Sequence, residues 1–428
     1  MLMKIDNSKW IKSILLFMVL NSVVFIYIQS DSTLPWYHIT KFIWLTPTMN
    51  KTCNGTLFPA IQNNESNWGP VDIEKTIFII SAYLVKSRNR VFIIGAKPFH
   101  RVSVICQLWQ MTSDKQLQFM QQTEAEVVAP SGRNRYSYAS TIFACQINAT
   151  ESPTHVSLVM NSCDNPLNML QIREVSKPEK YERRFTVCTA PLFGFRDSLR
   201  LVEWIEFNRI LGADKVLLYN YSTSAKVDEI ISHYLKSGLI DVIQWRFPFP
   251  SSDIEFFAQK AALNDCLFRN KNVSEFIVNI DTDEFIIPRS KGEVNWSQML
   301  AQLDQNYAGY LIRHTFFRTD WKNENLNVTG IIKTLDLVTL TYFEHEERIY
   351  SPNDRSKYLA RTAYVEFINV HEIPRGRILT VPTQNGLVHH YRRFSERKVY
   401  RRVKDFTVLE KFGDKLIKNV QTTLINLI

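Results

Sequence analysis

Between Phe276 and Pro288 the chain reads FIVNIDTDEFIIP: an apolar run, three carboxylates within four positions, and a second apolar run that Pro288 stops. Apolar runs this short and this rich in Phe, Ile and Val read as buried strands. Like charges packed this densely repel one another, so a segment bound for the interior needs a compensating cation to carry them. A strand bearing Asp281 and Asp283 at i and i+2 sets both on one side of the chain. A hard divalent ion such as Mn2+ or Mg2+, held through oxygen and bridging to phosphate, would supply that charge.

The surrounding pattern is α/β. Phe185–Ala190 reads as a strand, and Asp197 then opens a helix whose apolar positions include Leu199, Val202, Trp204, Phe207 and Leu211, closed by Gly212. Lys215–Tyr219 is a second strand, Lys226–Lys236 a second helix before Gly238, and Ile240–Arg246 a third strand. Ser252 and Glu255 form a capping box that predicts the start of a third helix, running to Leu267 and leading into the acidic strand. Strands joined by helical crossovers form a parallel sheet, which binds ligands at the carboxyl ends of its strands. Asp281 and Asp283 fall at such an end. The chain has no G-x-x-x-x-G-K-S/T loop, no G-x-G-x-x-G and no G-x-S-x-G, which argues against NTPases, dinucleotide enzymes and hydrolases of the last type.

Upstream, the 428 residues leave room for more than one domain, and 45% hydrophobic with 22% charged residues is an ordinary globular composition. The net charge of +9 favours an anionic partner. Its basic residues gather around Arg392–Lys404, outside any nucleic-acid motif, and those after Arg392 (Arg393, Arg397, Lys398, Arg401, Arg402 and Lys404) are expected to be a solvated helical face. Lys4 and Lys9 precede an apolar stretch from Ile11 to Ile28, and Asp31 follows it. The stretch predicts an uncleaved transmembrane signal anchor over 11–30, with residues 1–10 cytosolic and the rest luminal. Residues 31–74 read as a stem, 75–180 as a small β-rich, sandwich-like domain, and 181–428 as the α/β domain. Six cysteines without metal-binding spacing read as disulfides, with Cys106 and Cys145 able to pair. Of eight N-x-S/T sequons, Asn50, Asn54, Asn64, Asn148, Asn295 and Asn327 are expected to carry glycans.

Several motifs in order resemble one family. They are Ala190–Gly194 (APLFG), Glu203–Phe207 (EWIEF), Asn264–Leu267 (NDCL), Asn279–Phe285 (NIDTDEF), Ser356–Arg361 (SKYLAR), Val370-His371 and His389–Arg392 (HHYR). Together they resemble glycosyltransferase family 92, over roughly Ile77 to Phe394. The resemblance implies a GT-A type domain with a parallel or mixed sheet flanked by helices. It also implies an inverting, Mn2+-assisted transfer of galactose from UDP-galactose to a glycan such as the core fucose of N-glycans. The setting implied is a single-pass type II Golgi membrane protein. The segment Phe316–Trp321 departs from the family's Gly/Ser-rich pattern on the acceptor side.

On this reading Asp281, Asp283 and His390 are metal ligands, with His389 the rival to His390. Asp281, Asp265 and Arg392 contact the nucleotide-sugar. Glu346 is the catalytic base, in competition with Glu344, Glu347, Glu366 and Asp320. The partners are a UDP-sugar, a glycan or glycoprotein acceptor and a membrane, with no nucleic acid. The alternatives are another UDP-sugar donor, a silent glycan-binding member, or a metal-dependent phosphohydrolase.

Overall fold

A computed structural model describes residues 19–20, 23–24, 68–128, 135–148, 152–321, 335–395 and 400–427. By contact the chain divides into Met1–Thr48 and Met49–Ile428. In the first unit the described residues form a short antiparallel pair, Val19–Leu20 with Val23–Val24, inside the stretch that was expected to be a transmembrane helix. The rest of 11–30 lies outside the described residues. Among the described residues no helix is long and apolar enough to cross a membrane. The expectation of a single-pass type II Golgi membrane protein is therefore corrected.

The second unit begins with a barrel of seven strands: Phe78–Val85, Arg90–Pro98, Ile105–Met111, Leu117–Val127, Tyr138–Gln146, His155–Val159 and Leu170–Val175. Leu170–Val175 closes it, pairing antiparallel with His155–Val159 and parallel with Phe78–Val85. Closure removes the exposed edges that a sandwich would have to protect. Period-two alternation is the same in a sandwich and a barrel, so the expected sandwich gives way to a pairing the pattern could not reveal. Cys106 and Cys145 pair as expected, and a second disulfide joins Cys188 to Cys266.

A seven-stranded mixed sheet follows, in the order Ile240–Gln244, Lys215–Asn220, Arg183–Cys188, Ser274–Asn279, Lys357–Arg361, Gly309–Ile312 and Ile378–Thr380. Its first four strands are parallel, and Lys357–Arg361 runs antiparallel to both its neighbours. A second, five-stranded sheet holds Glu284–Pro288, Gly386–Arg392, His314–Arg318, Glu344–Glu346 and Arg402–Lys404. The acidic motif is the link between the two sheets. Arg402–Lys404 being a strand also corrects the helical reading of the basic run.

The helix Ser198–Leu211 starts and stops where expected. Asp197 accepts from the Arg200 amide at 2.9 Å, and Gly212 ends the helix at φ 114°. It is buried on more than one face, since the C-terminal helix Thr407–Asn426 covers it and Phe207 meets both Phe285 and Phe412. That cover is built on Val408, Phe412, Leu416 and Val420, four residues apart on one face.

The third helix differs from expectation. It begins at Gln259, and the Ser252 hydroxyl contacts Asp253 instead of capping a helix. Before it, Phe256, Phe257 and Ala258 take left-handed φ values of 45°, 54° and 58°. Such geometry costs roughly 1–3 kcal/mol per residue and persists only where neighbours enforce it. Here the Trp245 indole donates to the Phe257 carbonyl at 3.0 Å, and the Phe257 ring stacks on Phe193 at 3.9 Å.

Of the expected glycan sites, Asn50, Asn54, Asn64 and Asn327 lie outside the described residues. Asn148 is exposed, and Asn295 caps the helix Trp296–Ala301, accepting from the Gln298 amide.

Candidate active site

The acidic motif is a turn, not a continuation of the strand. The Glu284 amide donates to the Asp281 carbonyl at 3.1 Å, and the Glu284 carboxylate accepts from the Asp281 amide at 3.0 Å. Strand alternation therefore does not apply, and Asp281 and Asp283 find different surroundings. The Trp204 indole donates to the Asp281 carbonyl at 2.9 Å, which gives the EWIEF motif its place in the site.

Asp281 is clamped. Lys357 Nζ lies 2.7 Å from its Oδ2 and Gln259 Nε2 lies 3.0 Å from its Oδ1, with 26% of the side chain still exposed. Lys357 arrives because Tyr358 pairs with Asn279, which sets the lysine beside the end of the neighbouring strand. The same ammonium lies 3.0 Å from Glu284 Oε2. Burial disfavours its charge, but Asp281 and Glu284 outweigh burial and raise its pKa. Burial raises that of Glu284, with the charges of Asp281 and Asp283 adding to the effect against Lys357 and His390.

Asp283 is 41% exposed and meets His390, whose Nε2 lies 3.2 Å from Asp283 Oδ2. Antiparallel pairing sets Glu284 opposite His390, so His390 Nδ1 also lies 3.2 Å from Glu284 Oε1. Burial works against a charge on His390, yet Glu284 and Asp283 prevail and raise its pKa. For Asp283, burial pushes upward, but the hydrogen bond and charge of His390 hold it below the usual carboxylate value. His389 points the other way into the core, stacked on Phe317 at 4.2 Å, and burial lowers it to about 3.

Around this pair stand two neutral histidines. Burial lowers His314 to about 3 and His371 to about 4. The His314 ring centroid is 5.8 Å from that of His390, and neither of its nitrogens has a hydrogen-bond partner among the described residues. Arg392 follows His390 by two positions, leaves the strand on the same face and is exposed. The guanidinium of Arg200, in the first turn of its helix, lies 3.6 Å from Glu203 and counts among the charges that depress Asp283. At the ends of the parallel strands, Phe193 is 49% exposed on its Phe257 platform, two residues before Gln259.

Two expected residues lie elsewhere. Asp265 is fully buried between the barrel and the mixed sheet, accepting from Ser81 and Tyr83 at 2.5 Å each, Tyr219 at 2.7 Å and Arg269 at 2.6 Å. Four donors satisfy it, and in this structure it is a buried structural hub. Glu346 is buried and ion-paired to Arg318 at 3.2 Å, which removes it as a base that must meet an acceptor hydroxyl. Its competitors are paired too: Glu344 with Arg402, Glu347 with Arg401, Asp320 with Arg318, and Glu366 near Arg88 and Arg375.

Among the described residues no group of three His, Cys, Asp or Glu side chains is arranged to hold a metal ion. The donor pair of Asp283 and His390 nevertheless suits one. Its two facing atoms are 3.2 Å apart, close to the ~3 Å between neighbouring ligands on one ion with bonds of about 2.1 Å. One carboxylate and one imidazole, with Asp283 41% exposed, is a sparse set of the kind Mg2+-like ions accept. Asp281, with both oxygens engaged by Lys357 and Gln259, stands apart from that pair.

Lys357, Trp204 and Glu284 stand in motifs that the sequence marks without giving them a role, and Gln259 and His314 carry no such mark. The signal for Lys357 was its place at the head of the apolar run Tyr358–Ala360, within the SKYLAR motif.

A family model for glycosyltransferase family 92 matches residues 183–427, more than half of the chain. The chain belongs to glycosyltransferase family 92. Among its relatives in Caenorhabditis elegans, the beta-1,4-galactosyltransferase galt-1 is 28% identical over 122 residues, covering 28% of this chain and 29% of the relative. The glycosyltransferase family 92 protein F13G3.3 is 33% identical over 113 residues, covering 24% of this chain and 22% of the relative. The matched segments thus span under a third of each of these two relatives. Among solved structures, Staphylococcus aureus TarS 1–349 in complex with UDP is 10% identical with a TM-score of 0.26, covering 57% of this chain and 66% of that one. Glucosyl-3-phosphoglycerate synthase from Mycobacterium tuberculosis, solved with Mn2+ and UDP, is 11% identical with a TM-score of 0.25, covering 57% and 80%. Likenesses this low bear neither on the fold nor on the activity of this chain.

Proposed function

We propose that this protein transfers a hexose from a UDP-sugar to a hydroxyl of a glycan, with galactose as the sugar, inversion at its anomeric carbon and Mn2+ as the assisting ion. The catalytic unit is a GT-A type domain over 181–428, preceded by the β-rich domain over 75–180. The observation that carries the reading is the Asp281–Glu284 turn, which opens at the carboxyl ends of parallel strands with Asp283 and His390 side by side.

In this account Asp283 and His390 would hold the ion, which supplies positive charge to the diphosphate as it leaves. Asp281, fixed by Lys357 and Gln259, accepts from a ribose hydroxyl. Phe193 offers the uracil an aromatic face, a contact that tolerates any base but gains from any planar one. Arg392, exposed on the His390 face, pairs with phosphate oxygens. The acceptor is a glycan such as the core fucose of N-glycans. Asn148 and Asn295 of the chain itself are candidate glycan carriers.

One observation favours a second reading, a member that binds glycan or nucleotide without turnover. Each downstream carboxylate expected as base is engaged by arginine. UDP release across a panel of UDP-sugars, with Mn2+ or chelator and with or without a fucosylated N-glycan mixture, separates the two. Release that prefers UDP-galactose, needs Mn2+ and rises with acceptor supports the transferase. Binding of UDP with no release from any sugar supports the silent member.

A further inference from the structure

Three carboxylates in four residues were expected to need a divalent ion, yet the fold supplies cations of its own. Lys357 has no solvent exposure and lies within 2.7 Å of Asp281 and 3.0 Å of Glu284. Asp281 is fixed at its backbone as well: its carbonyl accepts from Trp204 and its amide donates to Glu284. Asp283, two residues on, is by contrast held through its side chain, among the described residues, by His390 alone, and is 41% exposed. The motif is thus divided into one immobilised carboxylate and one available carboxylate. A carboxylate has about four lone-pair sites. Lys357 and Gln259 engage one oxygen each, and the partial exposure of Asp281 leaves further sites open to a hydroxyl donor.

Resting on the donor-site reading above, we propose that Lys357 is a positioning residue: it fixes Asp281 for the ribose of the donor, so that the nucleoside half binds without a metal ion. Metal then serves the phosphate half alone, through Asp283 and His390. A purely metal-organised motif would behave differently, because its carboxylates would stay mutually repelled until the ion arrived.

The test is calorimetric titration of the full chain with uridine, which lacks phosphate, and with UDP, each in chelator and in Mn2+. The wild type is compared with K357M/E284Q, which removes the buried cation together with one of its carboxylates and so keeps the interior charge balanced. The wild type is expected to bind uridine equally in chelator and in Mn2+. The double variant, with unchanged circular dichroism, is expected to bind uridine at least tenfold more weakly. Uridine binding by the double variant at wild-type strength overturns the proposal, as does wild-type uridine binding that needs Mn2+. The wild-type comparison decides even where the variant fails to fold. Wild-type protein that binds neither uridine nor UDP under either condition sinks the donor-site reading itself, and the inference with it.

Discussion

Replacing Asp265 with Asn separates a structural hub from a ligand contact. The substitution keeps the shape of the side chain and removes its charge. Arg269, which is itself 9% exposed, loses its ion pair with Asp265 at 2.6 Å, and an amide NH2 group replaces one carboxylate oxygen, facing either the hydroxyls of Ser81 and Tyr83 or those donors, Tyr219 and Arg269, that met the other oxygen. Breaking one partner of a buried pair costs about 3–5 kcal/mol, and each hydrogen bond to a charged group contributes about 1.5–3 kcal/mol. These contacts share one network, so they do not sum. The expected loss is about 3–5 kcal/mol in urea unfolding. UDP affinity should stay within twofold of wild type, because the hub faces the barrel seam and not the site.

The pH dependence of that loss follows from the direction of the shift. Burial pushes Asp265 upward, but Arg269 and the hydroxyl donors hold its folded pKa below the ordinary value. A depressed carboxylate contributes stability above its unfolded pKa of about 3.9 and loses it as pH falls through the folded value. The difference between wild type and variant should therefore be steady from neutral pH down to about 4 and shrink below it. A stability loss under about 1 kcal/mol, or a tenfold drop in UDP affinity at unchanged stability, would refute the hub and restore Asp265 to the nucleotide.

Other perturbations test the site and its frame. Asp281→Ala leaves Lys357 paired with Glu284, so the protein should fold while turnover falls about 100-fold or more from lost positioning; full activity would end the assignment. Phe193→Ala should weaken UDP binding by the equivalent of about 1–3 kcal/mol, the usual worth of a base on an aromatic face, measured by titration. His390 has a raised folded pKa, so its contribution in metal-free protein is full below about 6.5 and is lost as pH rises through the folded value. Urea midpoints of wild type and His390→Gln should therefore converge toward alkaline pH, and divergence there would contradict the assignment. The Cys188–Cys266 disulfide spans 78 residues, and replacing both cysteines by Ala should cost about 4 kcal/mol through the freed unfolded chain.

What the sequence conveyed depended on the range of the interactions involved. Asp197 and Gly212 bound their helix through contacts three or four residues away, and such caps are legible in a linear string. The NDCL motif was legible as unusual, but a buried polar hub and a ligand contact leave the same mark. Only the meeting with Ser81 and Tyr83, far away in sequence, assigns Asp265 to the first. The capping box at Ser252 failed because Trp245 and Phe193 hold Phe257 in a left-handed turn. Alternation implied that one of His389 and His390 faces inward, and the register with Glu284 decided which. Lys357 needed the pairing of Tyr358 with Asn279 before its role could be seen.

The central claim is that Asp283 and His390 hold the ion that grips the donor's diphosphate. The most direct measurement is UDP binding by wild type and Asp283→Asn, each titrated in chelator and in Mn2+. The account expects wild type to bind UDP more tightly in Mn2+, and Asp283→Asn to lose that gain while keeping the affinity seen in chelator. An equal Mn2+ gain in both proteins would contradict it, because the ion would then be held by something other than this carboxylate.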